Sequence, residues 1–420
     1  MPQKNRIESF FSDLGPGLIT GCADDDPSGI STYSATGAIF GYGLLWSALV
    51  TFPLMVTLQT MCGQLGLVTG HGLAGVVRRQ YSKWVLWSAC LLLVVANVIN
   101  IAADLGGMAD ATHMITGVHS LIWTPIYAVL IVSFLFWSSY RRIAQVFKWI
   151  TLVLLAYVVT AFFARVDWRQ ALLATVLPHF TWSRQYVEVL VGILGTTISP
   201  YLFFWQASQE VEDQVAMGKH PARRVGASDE DLRRLRVDVW TGMFASNFIM
   251  YFIILTTAAT LHAHGVVQID TARQAAEALK PLAGRAAYLL FTLGLIGTGM
   301  LGVPVLAGSC AYAISEASAW RGSLDKKPAR ARNFYAVIAA AMAIGLAINY
   351  VGLDAVKMLF WSAVLNGLLA PPLILLVILL TNNPKVMGDR VNSLLQRTLG
   401  WITFAIMTAA ALALLVSSVV

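Results

Sequence analysis

The chain has 420 residues, 57% of them hydrophobic and 12% charged, with a mean hydropathy of +0.67, whereas soluble domains carry about 25% charged residues. This excludes an ordinary soluble domain and describes a chain that crosses a membrane repeatedly. The formal charge of +7 is spread over short loops rather than gathered in one patch, so it reads as membrane topology and excludes a nucleic-acid surface.

A hydrocarbon core about 30 Å thick takes about 20 apolar residues per helix. Residues 1–13 are polar and form a cytoplasmic N-terminus with no cleavable signal visible. Eleven spans follow: 14–42, 44–68, 84–110, 121–139, 144–164, 187–212, 238–261, 285–318, 333–351, 355–381 and 398–419. Lys and Arg are retained on the cytoplasmic side, and one set of alternate loops holds 22 of them against 6 in the other. This places the N-terminus inside and, with an odd number of spans, the C-terminus outside. Cys22, Cys62, Cys90 and Cys310 lie within spans without CxxC spacing and read as packing residues.

Two spans depart from the rest. The first has only about ten apolar residues before "ADDDPSG", too few to cross a bilayer, and its apolar character resumes at Tyr33, Ile39 and Phe40. The sixth, "GILGTTISPYLFFWQASQEVE", carries Pro200, which lacks an N–H and predicts an unwound point over 196–200. Each break opens a block of five spans, 14–164 and 187–381, and an odd number of spans puts the blocks in opposite orientations. Span 398–419 is left over at the periphery. The expected fold is therefore an all-α polytopic membrane protein with a five-plus-five inverted repeat and interrupted helices one and six. Paired breaks of this kind mark a transporter's substrate site near the midplane, lined by freed carbonyls.

Asp24, Asp25 and Asp26 are the first candidates for that site, because a carboxylate at bilayer depth costs several kcal/mol, by order of magnitude, unless a cation, partner or water offsets it. The competing reading is a solvated turn. Asp26 directly precedes the Pro-Ser-Gly unwinding and is best placed to face a cavity. Thr196, Thr197, Ser199 and Tyr201 add hydroxyls, although such groups also bond the preceding turn of their own helix, which makes the backbone carbonyls the safer ligands. Asn97, Asn100 and Asp104 fall on one helical stripe, a candidate wet or proton-conducting path. Asn366 is a candidate ligand or supporting donor.

These stretches resemble one family. "GPGLITGCADDDPSGISTYSATGAIFGYGLLW", "AADLGG" and "GTTISPYLFFWQAS" are similar to the natural resistance-associated macrophage protein (Nramp) family of divalent metal transporters, and the likeness spans most of the layout. It implies the LeuT-like inverted repeat, a metal-ligating carboxylate at Asp26, a carbonyl ligand at Thr196 and an acid linked to proton movement at Asp104. The departures are specific: Gly29 stands at the family's asparagine, Ser199 at its methionine, Tyr201 at its histidine, and Asn97 and Gly107 at two further acids. Losing a thioether leaves an all-oxygen site, which suits hard ions such as Mg²⁺ or Mn²⁺.

The reading is a secondary transporter importing Mg²⁺ or Mn²⁺ by alternating access, with Asp26, Asp25, Asp24, Thr196, Ser199 and Gly29 at the metal and Asp104, Asn97, Asn100, Tyr201 and Asn366 around it. It needs the lipid bilayer, of a bacterial inner membrane, and the metal ion as substrate, with no resident cofactor and no obligate protein partner. The alternatives are a carrier of a small organic cation or amino-acid-like solute on the same fold, and a metal sensor without turnover. With no HExxH, GxSxG or phosphate-binding loop, an enzyme is not expected.

Overall fold

The computed structural model describes residues 15–137, 152–218, 226–320 and 322–417. Among them are eighteen α-helices and no strand. They are α1 (Pro16–Asp24), α2 (Pro27–Phe40), α3 (Trp46–Thr69), α4 (Leu73–Gln80), α5 (Lys83–Thr116), α6 (Ser120–Trp137), α7 (Leu155–Phe163), α8 (Trp168–Val176), α9 (Arg184–Thr197), α10 (Pro200–Ala216), α11 (Asp229–Thr260), α12 (Ala272–Ala276), α13 (Lys280–Ala283), α14 (Ala287–Ala317), α15 (Arg332–Ile348), α16 (Ala355–Thr381), α17 (Pro384–Met387) and α18 (Leu394–Ser417).

Nine segments among the described residues are long and apolar enough to cross a membrane, with α9 and α10 taken together as one of them. The predicted first span is α1 plus α2, each too short alone. The first eight residues of the predicted fifth span, 144–151, lie outside the described residues, as do residues 138–139 of the fourth, residues 1–13 and the basic residues Arg141, Arg142, Lys148, Lys219, Arg223, Arg224 and Arg321. Residues 217–228 lie between α10 and α11. Ser228 and Asp231 form a capping box that starts α11 at Asp229, so its Arg233, Arg234 and Arg236 stand on a helix. The pair Pro371 and Pro372 does not interrupt α16.

Both breaks have the same local cause. In each, a polar residue with extended backbone precedes a proline that opens the next helix: Asp26 (φ −65°, ψ 171°) before Pro27, and Ser199 (φ −74°, ψ 125°) before Pro200. Proline disfavours the helical conformation in the residue before it and is itself at ease in a first helical turn. The second break is tighter than predicted, since Thr196 and Thr197 still belong to α9 and only Ile198 and Ser199 leave the helix.

Glycines let the broken helices reach the centre. A Cβ at Gly21 would overlap the Gly242 carbonyl of α11, one at Gly242 would overlap Gly17, and one at Gly195 would overlap the Ala363 carbonyl of α16. Gly17 and Gly21 are spaced as the small-xxx-small pattern that brings membrane helices into backbone contact. Both α1 and α2 pack on α11 while α10 packs on α3, the exchange of partners expected if spans one and two correspond to spans six and seven. Of the Arg184–Ala216 window 89% is buried, against 28% for Leu394–Ser417, so the second broken span is central and α18 peripheral.

At the N-terminus of α1, Asp238 of α11 accepts three backbone N–H groups, from Gly15 at 2.8 Å, Gly17 at 2.6 Å and Leu18 at 3.0 Å. An anion at a helix N-terminus satisfies orphan donors and complements the helix dipole. Asp238→Ala is expected to lower the melting temperature of the purified protein, by about 1–3 kcal/mol of lost charged hydrogen bonding, which thermal unfolding in detergent would measure.

Candidate cation site at the two helix breaks

The two breaks meet. Tyr201, in the first turn of α10, donates to the Ala23 carbonyl at the end of α1 at 3.0 Å and to Asp26 Oδ2 at 3.4 Å. Ser309 Oγ of α14 holds the Tyr201 carbonyl at 3.0 Å. The position that resembles the family's histidine thus ties one broken helix to the other through a hydroxyl.

Asp26 is the N-cap of α2: its Oδ1 accepts from the Gly29 N–H at 2.8 Å and from Ser28 Oγ at 2.6 Å. Asn100 Nδ2 of α5 donates to Oδ2 at 3.0 Å. All four donors to Asp26 are neutral. Asp24 and Asp25 turn the other way, toward α11, where Ser246 Oγ lies 2.9 Å from Asp24 Oδ2 and 3.2 Å from Asp25 Oδ1. Asp24 Oδ1 has no hydrogen-bond partner. The three carboxylates are 1–4% exposed, so the solvated-turn reading fails. Nor do they converge in this state: among the described residues no group of three His, Cys, Asp or Glu side chains is arranged to hold a metal. Among the described residues no Lys, Arg or His is hydrogen-bonded to any of them.

Asp104 is fully buried, with neither carboxylate oxygen in a hydrogen bond of full geometry; the Ser28 backbone N–H is beside it and Asp26 is the charge that acts on it. The predicted stripe divides: Asn100 reaches Asp26, while Asn97 donates instead to the Leu306 carbonyl of α14 at 2.9 Å. A helix buried on several sides addresses different partners even from one face. Asn366 is buried and its Oδ1 is unpartnered, and no hydrogen bond joins it to the breaks.

The hydroxyls of the second break do not face the acids as ligands. Thr196 Oγ1 donates to the Ile193 carbonyl at 3.0 Å, Thr197 Oγ1 to the same carbonyl at 2.8 Å, and Ser199 Oγ to the Thr196 and Gly195 carbonyls at 2.7 and 2.9 Å. They relieve the unwound turn, as such side chains commonly do. Ser199→Ala removes the hydroxyl that holds the Thr196 carbonyl and no ligand atom, so it is expected to weaken the affinity for cargo by about tenfold, the low end of the 10–100-fold typical of groups that orient a metal's ligands, as a binding isotherm would show.

Two polar residues that sequence reasoning passed over join this region. Ser246 sits in the apolar run of α11 and looks like a helix-packing serine. Gln206 accepts from Thr20 Oγ1 at 2.7 Å and donates to Glu210 at 2.8 Å. Glu210, one turn beyond Gln206, is buried as well, at 6% exposure. Sequence offers no signal for Ser246 beyond its lying in a predicted span.

Space approaches the site from one end, without any of the three carboxylates in its lining. Cavities of about 440 and 210 Å³ share Asp270 and Val356, and both adjoin a hollow of about 20 Å³ that touches Pro27, Gly107 and Asp110. Pro27 follows Asp26, so the hollow ends one residue from the carboxylate. Asp110, Asp270, Asp354 and Glu188 line this approach together with Arg273 and Lys357, four acids against two bases, at the end that the basic-residue count assigns to the outside. At the opposite end α1 is sealed against α11 by Gly17, Gly21, Gly242 and the Asp238 cap.

The model of the family described as "Natural resistance-associated macrophage protein-like" matches residues 17–417. A divalent metal cation transporter MntH of Caldanaerobacter subterraneus subsp. tengcongensis is 25% identical over 407 residues, 94% of this chain and 90% of its own. One of Klebsiella pneumoniae (strain 342) is 27% identical over 404 residues, 94% and 92%. Among solved structures, a manganese transporter of Eremococcus coleocola, in complex with an aromatic bis-isothiourea compound, superposes with a TM-score of 0.77 at 19% identity, covering 99% of this chain and 88% of that one. The inward-facing Mhp1 transporter gives 0.53 at 14% identity, covering 96% and 90%. These likenesses carry the fold, a LeuT-type helical bundle, and the match over nearly the whole chain carries the family. The chain is an integral membrane protein of the natural resistance-associated macrophage protein family.

Proposed function

We propose that the chain carries a hard divalent cation, Mg²⁺ or Mn²⁺, inward across a bacterial inner membrane by alternating access. The observation that carries this reading is the meeting of the two helix breaks at a buried set of carboxylates to which, among the described residues, no cationic, sulfur or imidazole group is hydrogen-bonded. A desolvated carboxylate cluster is stable only with positive charge or protons close by, and a transported cation supplies that charge. The relatives named as divalent metal cation transporters give the substrate class the same direction.

In this reading Asp26 is the principal ligand, and it exchanges neutral donors, Asn100 and Tyr201, for the ion. Backbone carbonyls between Thr196 and Ser199 complete the shell, with the Gly29 backbone N–H holding the other carboxylate oxygen in place. Gly29 and Ser199 are smaller than the residues they replace, which leaves room for an ion that keeps some of its water, as Mg²⁺ does. The blocks 14–164 and 187–381 rock against each other about this site, residues 1–13 are cytoplasmic, and α18, in 398–419, stands aside.

The cavities lined by Asp110, Asp270 and Asp354 serve as an entry that concentrates cations, and release to the inside requires α1 to part from α11. An amino-acid-like solute fits less well, since among the described residues no Lys, Arg or His is hydrogen-bonded at the carboxylates to receive its carboxylate, whereas an organic cation would match their charge and is separated from a metal by transport itself. The test is uptake by proteoliposomes presented with Mn²⁺, Mg²⁺, amines and amino acids in parallel. Transport of the metals alone supports the reading, and transport of an organic solute without any metal flux defeats it.

A further inference from the structure

Asp24 and Asp25 have surroundings of their own. Every donor from another helix to Asp26 comes from α5 or α10, whereas Asp24 and Asp25 both lean on the single hydroxyl of Ser246 in α11. A serine hydroxyl has one proton to donate, so only one of the two carboxylates can hold it at a time. Asp24 Oδ1 is then left buried with no partner at all.

A second group faces the same place. Tyr33 is fully buried, and its hydroxyl makes no hydrogen bond of full geometry. Thr196 lies beside it, and Asp24 and Asp25 act on it more strongly than Asp26 does. Side chains on a helix lean toward its N-terminus, and the Tyr33 ring does so. A Cβ at Gly29 would touch Tyr33 Cε2 at 3.4 Å and the Asp24 carbonyl at 3.3 Å, which puts the ring over the break. Oxygens from the first break, from α2 and from α11 therefore collect around two carboxylates that have one shared proton donor between them.

We propose that Asp24 and Asp25, with the hydroxyls of Ser246 and Tyr33, form a second divalent-cation position on the α11 side of the break, separate from Asp26. It rests on the metal-transport reading and adds to it a second station for the same cargo. Two adjacent carboxylates are neutralised by one divalent ion, whereas a monovalent ion leaves a net buried charge. The donors are all hard oxygens, which exclude a preference for soft metals. Two divalent ions this close repel each other, so the positions are occupied in succession by one ion on its way through.

The test is calorimetric Mn²⁺ binding to the purified protein and four variants, with thermal unfolding as the control for folding. Asp26→Asn is expected to retain a weakened binding event. Adding Ser246→Ala, which removes no charge, should weaken that residual event by about tenfold, as expected for a group orienting metal ligands. Adding Asp24→Asn with Asp25→Asn should abolish it. The proposal is overturned if Asp26→Asn alone loses all Mn²⁺ binding while the Asp24→Asn/Asp25→Asn double variant binds like wild type, a result that leaves the metal-transport reading standing. If the wild type binds neither Mn²⁺ nor Mg²⁺, that broader reading fails and takes the second position with it.

Discussion

Asp26→Asn should fold and fail to transport. Asparagine caps helices about as well as aspartate, so its side-chain oxygen can still accept from Gly29 and Ser28, and α2 keeps its start. The negative charge is what disappears. Loss of a group that only supports a metal ligand costs 10–100-fold in affinity, so losing the ligand's charge itself is expected to reduce Mn²⁺ uptake by more than about 100-fold. The melting temperature should stay near that of wild type. Asp26→Ala removes cap and charge together and should lower both. Uptake by either variant at the wild-type rate would remove Asp26 from the site.

Gly21→Val is the variant expected to damage the fold most. A Cβ at Gly21 meets the backbone of Gly242, and the reciprocal Cβ at Gly242 meets the backbone of Gly17. Backbone cannot step aside as a flexible side chain does, so α1 would have to lift from α11 and surrender the Asp238 cap as well. Overpacking costs about 1–3 kcal/mol where side chains can yield, and this site should exceed that. Loss of monodisperse protein on size-exclusion chromatography is the expected readout. A valine variant that behaves like wild type would show that α1 is not held against α11 as described.

The two variants separate what the carboxylate does from what the helix contact does. One leaves the scaffold and removes the charge, whereas the other leaves every acid in place and removes the scaffold. That separation follows from the way α1 and α2 are built, with the close contact on one side of the break and the cap on the other.

Much of this arrangement is legible in the sequence because its causes are local. Asp26 before Pro27 and Ser199 before Pro200 announce two helix starts inside two apolar runs, and proline geometry does the rest. The pairing of Asn100 with Asp26 is also within reach, since an amide one turn from a buried acid on a central helix has few other places to turn. What was not legible depends on which helix faces which. Asn97 shares a stripe with Asn100 yet bonds to α14, and Ser246 is one serine in a long apolar helix until α11 is placed against the break. The hydroxyls of Thr196 and Ser199 looked like ligands because their position was right. In the fold their protons are claimed by carbonyls one turn back, a competition that sequence states but does not decide. Asp238 acquires its role only through three N–H groups more than 200 residues away in the chain.

The central claim is that a hard divalent cation crosses through a site whose ligands are all oxygen. The most direct measurement is competition for Mn²⁺ uptake into proteoliposomes by Mg²⁺ and by Cd²⁺, which prefers sulfur ligands. The account predicts that Mg²⁺ competes and is itself carried, and that Cd²⁺ has no advantage over Mn²⁺. Strong inhibition by Cd²⁺ at concentrations where a large excess of Mg²⁺ has no effect would contradict it.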